Sequence, residues 1–158
     1  MNDKCIQERY APQNACFGCG PVNPKGLRIR SFPADDGRPG ELVAHWTPAK
    51  HHEAFDGILN GGIIGALLDC HSNWAAVCHL MQRDRLDSAP CCVTAELQVR
   101  MLAPTPTSSA LTVRAWPVSS DRSWVTVEAT LGLGDAVSAT CTGRFVAVKP
   151  DHPAYHRW

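Results

Sequence analysis

Apolar residues recur along the chain with two different periods. From Gly62 to about Gln82 no proline intervenes, and Ile63, Ile64, Leu67, Trp74, Val77, Cys78 and Met81 return at spacings of three and four, the period of one helical stripe. This pattern predicts one long helix. Elsewhere the period is two. Leu27-Arg-Ile-Arg-Ser-Phe32 and Glu41-Leu-Val-Ala-His-Trp46 alternate apolar with polar on either side of Ala34-Asp-Asp-Gly-Arg-Pro-Gly40, whose residues favour turns, so they predict two strands joined by a hairpin. After the charged segment Arg83-Asp-Arg-Leu-Asp87, four Thr- and Val-rich runs predict strands at 93–102, 110–116, 123–130 and 137–148. Two strands, a helix and four strands make an α+β class, with a mostly antiparallel sheet of about six strands covering the helix. Residues 1–26, rich in Gly, Pro and Asn through Cys16-Phe-Gly-Cys-Gly-Pro-Val-Asn-Pro24, are expected to form an ordered arm or loop. Residues 27–149 make the domain, and 150–158 a frayed tail.

Composition narrows the function classes. A length of 158 residues fits one domain, and 44% apolar with 19% charged residues supports a packed core. Fifteen basic residues offset fifteen acidic ones, so the chain lacks the positive field that holds phosphate backbones, and nucleic acid is not expected as a partner. The N-terminus MNDKCIQERY lacks the apolar run of a signal peptide, which places eight cysteines in a reducing cytoplasm rather than in disulfides. The least charged stretch, 57–82, is broken by Asp69, His71, Ser72 and Asn73, which are costly in lipid, so no membrane span is expected.

The helix carries the candidate chemistry. Asp69 has Gly65, Ala66, Ser72 and Asn73 as its neighbours three and four residues away, a stripe of small and polar side chains that something can approach closely. A carboxylate there either satisfies buried polar groups or, with its pKa raised by desolvation, serves as a general base. Asn60-Gly61-Gly62 opens the helix. Asn is a good N-cap, and the glycines either permit a tight turn or leave the first N–H groups open to a carbonyl oxygen. Gly61 and Asp69 are eight residues apart, about 12 Å along the axis, so they cannot both reach one carbon atom from the same helix. If both serve one reaction they come from different subunits, as in a two-fold dimer with antiparallel helices and two equivalent sites.

Phe55-Asp-Gly-Ile-Leu-Asn-Gly-Gly-Ile-Ile-Gly-Ala-Leu-Leu-Asp69, followed by Val93-Thr-Ala-Glu-Leu97, resembles the hotdog-fold acyl-CoA thioesterases of the phenylacetate-pathway, PaaI-like branch of the 4-hydroxybenzoyl-CoA thioesterase superfamily. Cys16-Phe-Gly-Cys-Gly20 before Gly26-Leu-Arg-Ile29 is similar to an N-terminal element of some members, and the likeness runs from about Cys16 to Val148. The resemblance implies a sheet wrapped around the helix, homodimers that often pair into tetramers, and hydrolysis of an acyl-CoA or related thioester to acid and thiol without a cofactor. It implies that Gly61 polarises the thioester carbonyl, that Asp69 is general base or nucleophile, and that Thr94 helps position water or carboxylate; Gly62, next to Gly61, is a candidate substrate-binding residue.

The sequence departs from that pattern at two places. Many members have His where Asn60 stands; an amide still donates a hydrogen bond but does not titrate near neutral pH. A polar residue of the preceding loop in some relatives is replaced by Ala54. His52 and His71 are candidates to compensate, each with the alternative of a packing or surface histidine. These departures keep a non-catalytic acyl-CoA binding protein as the alternative, and a dehydratase would want a His–acid pair that only His51, His52 and Glu53 approach. Cys16-x-x-Cys19 is half of a zinc pattern, but no second pair follows, so further ligands would have to come from His45, His51, His52 or a partner chain, and no metal is expected. No cysteine has the His context of a thiol nucleophile. Arg100, Arg114 and Arg144 either meet nucleotide phosphates or form a solvated surface.

Overall fold

A computed structural model describes residues 4–156, in which the two periods of the sequence become one long helix and a six-stranded sheet. In chain order the elements are α1 (Ile6–Tyr10), β1 (Phe32–Pro33), β2 (Leu42–Trp46), a 3-10 turn (Lys50–His52), β3 (Glu53–Phe55), β4 (Ile58–Leu59), α2 (Gly61–Asp84), β5 (Cys92–Met101), β6 (Leu111–Asp121), β7 (Trp124–Leu133) and β8 (Ala136–Ala147). The large sheet runs β1-β2-β6-β7-β8-β5 with every neighbouring pair antiparallel.

Both ends of α2 have a physical cause. Asn60 caps its start, its Oδ1 accepting the N–H groups of Gly62 at 2.8 Å and Ile63 at 3.3 Å. Arg85 ends it in the left-handed region at φ 53°, with the Leu86 N–H returning to the Met81 carbonyl at 2.9 Å. Of the stripe read from the sequence, Ile64, Leu67, Trp74 and Val77 are buried in the core and Ile63, Cys78 and Met81 pack against it partly buried, joined by Leu68 and Leu80, which the stripe did not include. Opposite them the strands present small side chains. Ala44, Ala115, Ala129 and Ala139, with Val113, Val125 and Val127, line the inner face and leave room for a helix to sit close. This is the helix wrapped by a sheet of the hotdog arrangement.

Segment 27–32 forms less strand than its alternation predicts. Leu27, Ile29 and Ser31 are buried while Arg28 and Arg30 are exposed, yet only Phe32 and Pro33 pair with β2. The backbone bonds of 27–31 go to the arm instead: Leu27 N–H to the Phe17 carbonyl at 2.7 Å, Ile29 N–H to Gly18 at 3.1 Å, and Ile6 N–H to Ser31 at 2.9 Å. Arg28, at φ 51°, interrupts the extended run. The arm is more than a loop, because it contains α1 and buries Ile6, Ala11 and Cys19 in the core. Through residue 156 the tail is a series of turns rather than frayed, and the Ala154 carbonyl accepts the Cys91 thiol at 3.1 Å. The small β3–β4 hairpin, turning at Gly57 with φ 76°, has no counterpart in the sequence reading. No helix among the described residues is long and apolar enough to cross a membrane.

Candidate active site

Asp69 lies half-buried in the middle of α2, on the stripe that follows Gly61 and Gly65 at four-residue intervals. Across from it, β5 shifts register between Thr94 and Glu96, a bulge of the kind that re-aims side chains. The Thr94 hydroxyl donates to Asp69 Oδ1 at 2.7 Å, and Oδ2 has no protein hydrogen bond among the described residues. No ion pair reaches this carboxylate among the described residues. Burial pushes its pKa up, the Thr94 hydrogen bond pulls it down, and the nearby Cys16 adds to the rise. Asp69 and Thr94 line a cavity of about 290 Å³ with Cys16, Cys70, Asn73 and Trp74.

The start of α2 lies at a second, separate cavity. Gly61 lines a space of about 520 Å³ with Ile58, Leu59 and the exposed apolar side chains of Phe55, Met101 and Leu102. Asn60 spends its side-chain oxygen on Gly62 and Ile63, and the Gly61 N–H has no partner among the described residues. Packing within the chain does not require glycine here: a Cβ on Gly61 would meet only Met101 Cε at 3.5 Å, and one on Gly65 would meet nothing within 4 Å. Gly61 and Asp69 are eight positions apart, so about 12 Å of helix separates them in one chain.

The two histidines occupy other places. His52 stands behind the helix start, where its carbonyl accepts the Asn60 N–H at 3.0 Å and its Nδ1 accepts the Ala49 N–H at 2.9 Å. Its ring lies 5.0 Å from Trp46, and burial and then the neighbouring His51 hold its pKa below the usual range. His71, two residues beyond Asp69, points away from the cavity and is fully buried. The Leu42 carbonyl can only accept, so His71 Nε2 carries the proton and donates to it at 3.1 Å, and Nδ1 accepts the Ser31 hydroxyl at 2.8 Å. Gln7 completes this buried chain, donating to Ser31 Oγ at 2.8 Å and accepting the Ser31 N–H at 3.0 Å. The network ties arm, helix and β2 together.

The sequence reading missed Cys70. Among the described residues the side chains that approach Cys16 and Cys19 are not His45, His51 or His52; the three sulfurs of Cys16, Cys19 and Cys70 group together beside Asp69. The Cys16 and Cys70 sulfurs lie 3.7 Å apart, either able to donate, and interactions among the three sulfurs pull the Cys16 thiol well below its ordinary range while the Cys19 thiol is pushed up to about 12 and Cys70 is also raised. The signal available in the sequence was adjacency, since Cys70 follows Asp69 directly. Of the arginines, Arg114 pairs with Glu41 at 2.9 Å and Arg144 stacks over Trp124 at 4.4 Å, while Arg100 lines a cavity on the outer face of the sheet.

No family model and no curated sequence matches this chain. Solved structures do. It is similar to a thioesterase superfamily protein from Shewanella loihica, with 29% identity, a TM-score of 0.61, and coverage of 77% of this chain and 91% of that one. It is similar in fold to a phenylacetic acid degradation-related protein from Ralstonia eutropha, with 22% identity, a TM-score of 0.62, and coverage of 76% and 85%. It is likewise similar to the PaaI protein of the E. coli phenylacetic acid degradation operon, with 15% identity, a TM-score of 0.63, and coverage of 78% and 81%. The chain has the hotdog fold of thioesterase superfamily proteins.

Proposed function

We propose that this protein hydrolyses an acyl-CoA or related thioester at a site shared between two copies of the chain. The observation that carries the proposal is Asp69: half-buried, free of any ion pair among the described residues, oriented by Thr94 and facing a cavity. A carboxylate with a raised pKa suits a general base. It takes a proton from water as the water oxygen attacks the thioester carbonyl, and the tetrahedral intermediate collapses by breaking the C–S bond. The proton then passes from Asp69 to the departing thiolate, leaving acid and thiol.

The developing oxyanion needs donors about 3 Å away. The Gly61 N–H is such a donor, open and at the positive end of a helix. Because about 12 Å separates Gly61 from Asp69 in one chain, the donor comes from a neighbouring copy whose α2 runs antiparallel. Asn60 holds that helix start in place through its side-chain oxygen, which takes up the Gly62 N–H and leaves that of Gly61 as the open donor. β5 pairs with β8 on one side and, among the described residues, ends the sheet on the other; that largely exposed outer edge is where a second sheet would continue.

The test is thiol release from a panel of short, long and aromatic acyl-CoAs by wild type, Asp69→Asn and Gly61→Pro. Proline suits this position: it is the first residue of the helix, its missing N–H is the group under test, and Asn60 at φ −64°, ψ 134° is already in the region favoured before proline. Folded variants should lose activity, by about 10²–10⁴-fold for Asp69→Asn and about 10²–10³-fold for Gly61→Pro. Saturable acyl-CoA binding by a folded wild type that turns over none of the panel would overturn hydrolysis in favour of a binding module.

A further inference from the structure

Three thiols meet where the arm crosses α2. Cys16 and Cys19 come from the arm and Cys70 from the helix, and their Sγ atoms all lie within 4.8 Å of one another, with 3.7 Å between Cys16 and Cys70. All three are free thiols. A tetrahedral zinc holds each thiolate sulfur at about 2.3 Å, which sets the S–S edge of the tetrahedron at about 3.8 Å. The observed separation matches that edge, whereas a disulfide would bring two sulfurs to about 2.05 Å.

We infer that Cys16, Cys19 and Cys70 form a zinc site of three thiolates whose fourth position opens to the cavity that Asp69 also lines. The loop around the pair is shaped for it. A Cβ on Gly18 would overlap the Cys70 sulfur, and one on Gly20 would overlap the backbone of Cys16 and its neighbours, so both glycines are what lets the loop close over the helix. A donor from the helix reaches the cluster: the Trp74 indole N–H donates to Cys19 at 3.3 Å. N–H groups directed at sulfur stabilise metal-bound thiolate and fix its orientation. The ligands are soft, which favours zinc over hard cations. No carboxylate joins the group, so Asp69 is not a ligand and a water molecule takes the fourth position. On binding, zinc replaces the thiol protons, at most three, which leave to solvent. The site clasps arm to helix next to the candidate base.

The test measures metal and not turnover, so its outcome is independent of the proposed hydrolysis. Protein purified under reducing conditions without chelator should hold about one zinc per chain by elemental analysis, released when the thiols are modified. Cobalt(II) loaded in its place should show sulfur-to-metal charge transfer and the intense visible bands of a tetrahedral thiolate site. Cys16→Ser and Cys70→Ser should each lower bound zinc about tenfold or more, while Cys78→Ala, on another part of α2, should keep it. Circular dichroism and thermal melts identify variants that fold. Reduced, folded wild type that takes up neither zinc nor cobalt would overturn the site, as would a Cys70→Ser variant that keeps its zinc. A native Cys16–Cys70 or Cys16–Cys19 disulfide, seen as a mass lower by two hydrogens and missing free thiols, would also overturn it.

Discussion

The buried histidine makes stability depend on pH in a defined window. His71 has no exposed surface and both ring nitrogens are committed, Nε2–H to the Leu42 carbonyl and Nδ1 to the Ser31 hydroxyl. Burial pushes its pKa down to about 4, against the smaller opposing pulls of the Leu42 carbonyl and the Glu41 carboxylate. A second proton on Nδ1 would face the Ser31 hydroxyl, which already receives the Gln7 amide. In the unfolded chain the ring titrates near its ordinary value. Stability is therefore complete above about pH 6.5 and falls as the pH drops from there towards about 4, because only the unfolded state takes up the proton. The gap between 6.5 and about 4, at about 1.4 kcal/mol per pH unit, amounts to about 3 kcal/mol when fully developed. Roughly 2 kcal/mol of this is lost between about pH 7.5 and about pH 5, above the ordinary carboxylate range. Urea unfolding of wild type and His71→Asn across that interval isolates the effect. The variant is less stable at neutral pH, and its deficit should shrink by roughly 2 kcal/mol on acidification. A deficit that stays constant with pH would refute the buried neutral imidazole.

Other consequences are separable. Glu41 has a nearly fully buried carboxylate whose pKa burial pushes up, but the Arg38 N–H and the Arg114 guanidinium outweigh burial and hold it below the usual range. Glu41→Gln should cost about 1–3 kcal/mol at neutral pH, and that difference should fade as the pH falls below the ordinary carboxylate value, read by the same urea titration. Arg85→Gly should raise stability by about 1 kcal/mol in a thermal melt, since the helix ends there at φ 53° without need of a side chain. Leu67→Ala, at a fully buried position facing the sheet, should cost about 2–5 kcal/mol by denaturant unfolding.

The fold was legible wherever a local pattern had one structural solution. The stripe 63–81 allowed a helix and little else, Asn60 and the charged end bounded it, and β5–β8 followed from β-branched runs between breakers. Alternation in 27–32 is real in burial but does not say which backbone supplies the hydrogen bonds, and here the arm does. The β3–β4 hairpin is too short to leave a period. At the site, Asp69 stood out by its place on a small, polar stripe of the helix and Thr94 only through the family resemblance, and the two meet at 2.7 Å. Cys70 did not, because a half-pattern such as Cys16-x-x-Cys19 is completed by a residue distant in sequence, and only the fold brings it there. His71 was indistinguishable from a site residue by position; the side of the helix it faces is set by packing against Ser31 and Leu42.

The most direct measurement is complementation between two inactive chains. Asp69→Asn keeps an intact Gly61 N–H, and Gly61→Pro keeps an intact Asp69, so a mixed dimer has one complete site and one doubly defective site. Co-expressed or co-refolded in equal amounts, the two should recover about a quarter of wild-type thioester hydrolysis, since about half the dimers are mixed and each has one working site of two. Recovery near that value supports a site built from two copies of α2. Mixed dimers that form, as shown by differentially tagged chains, yet remain as inactive as either parent would contradict it.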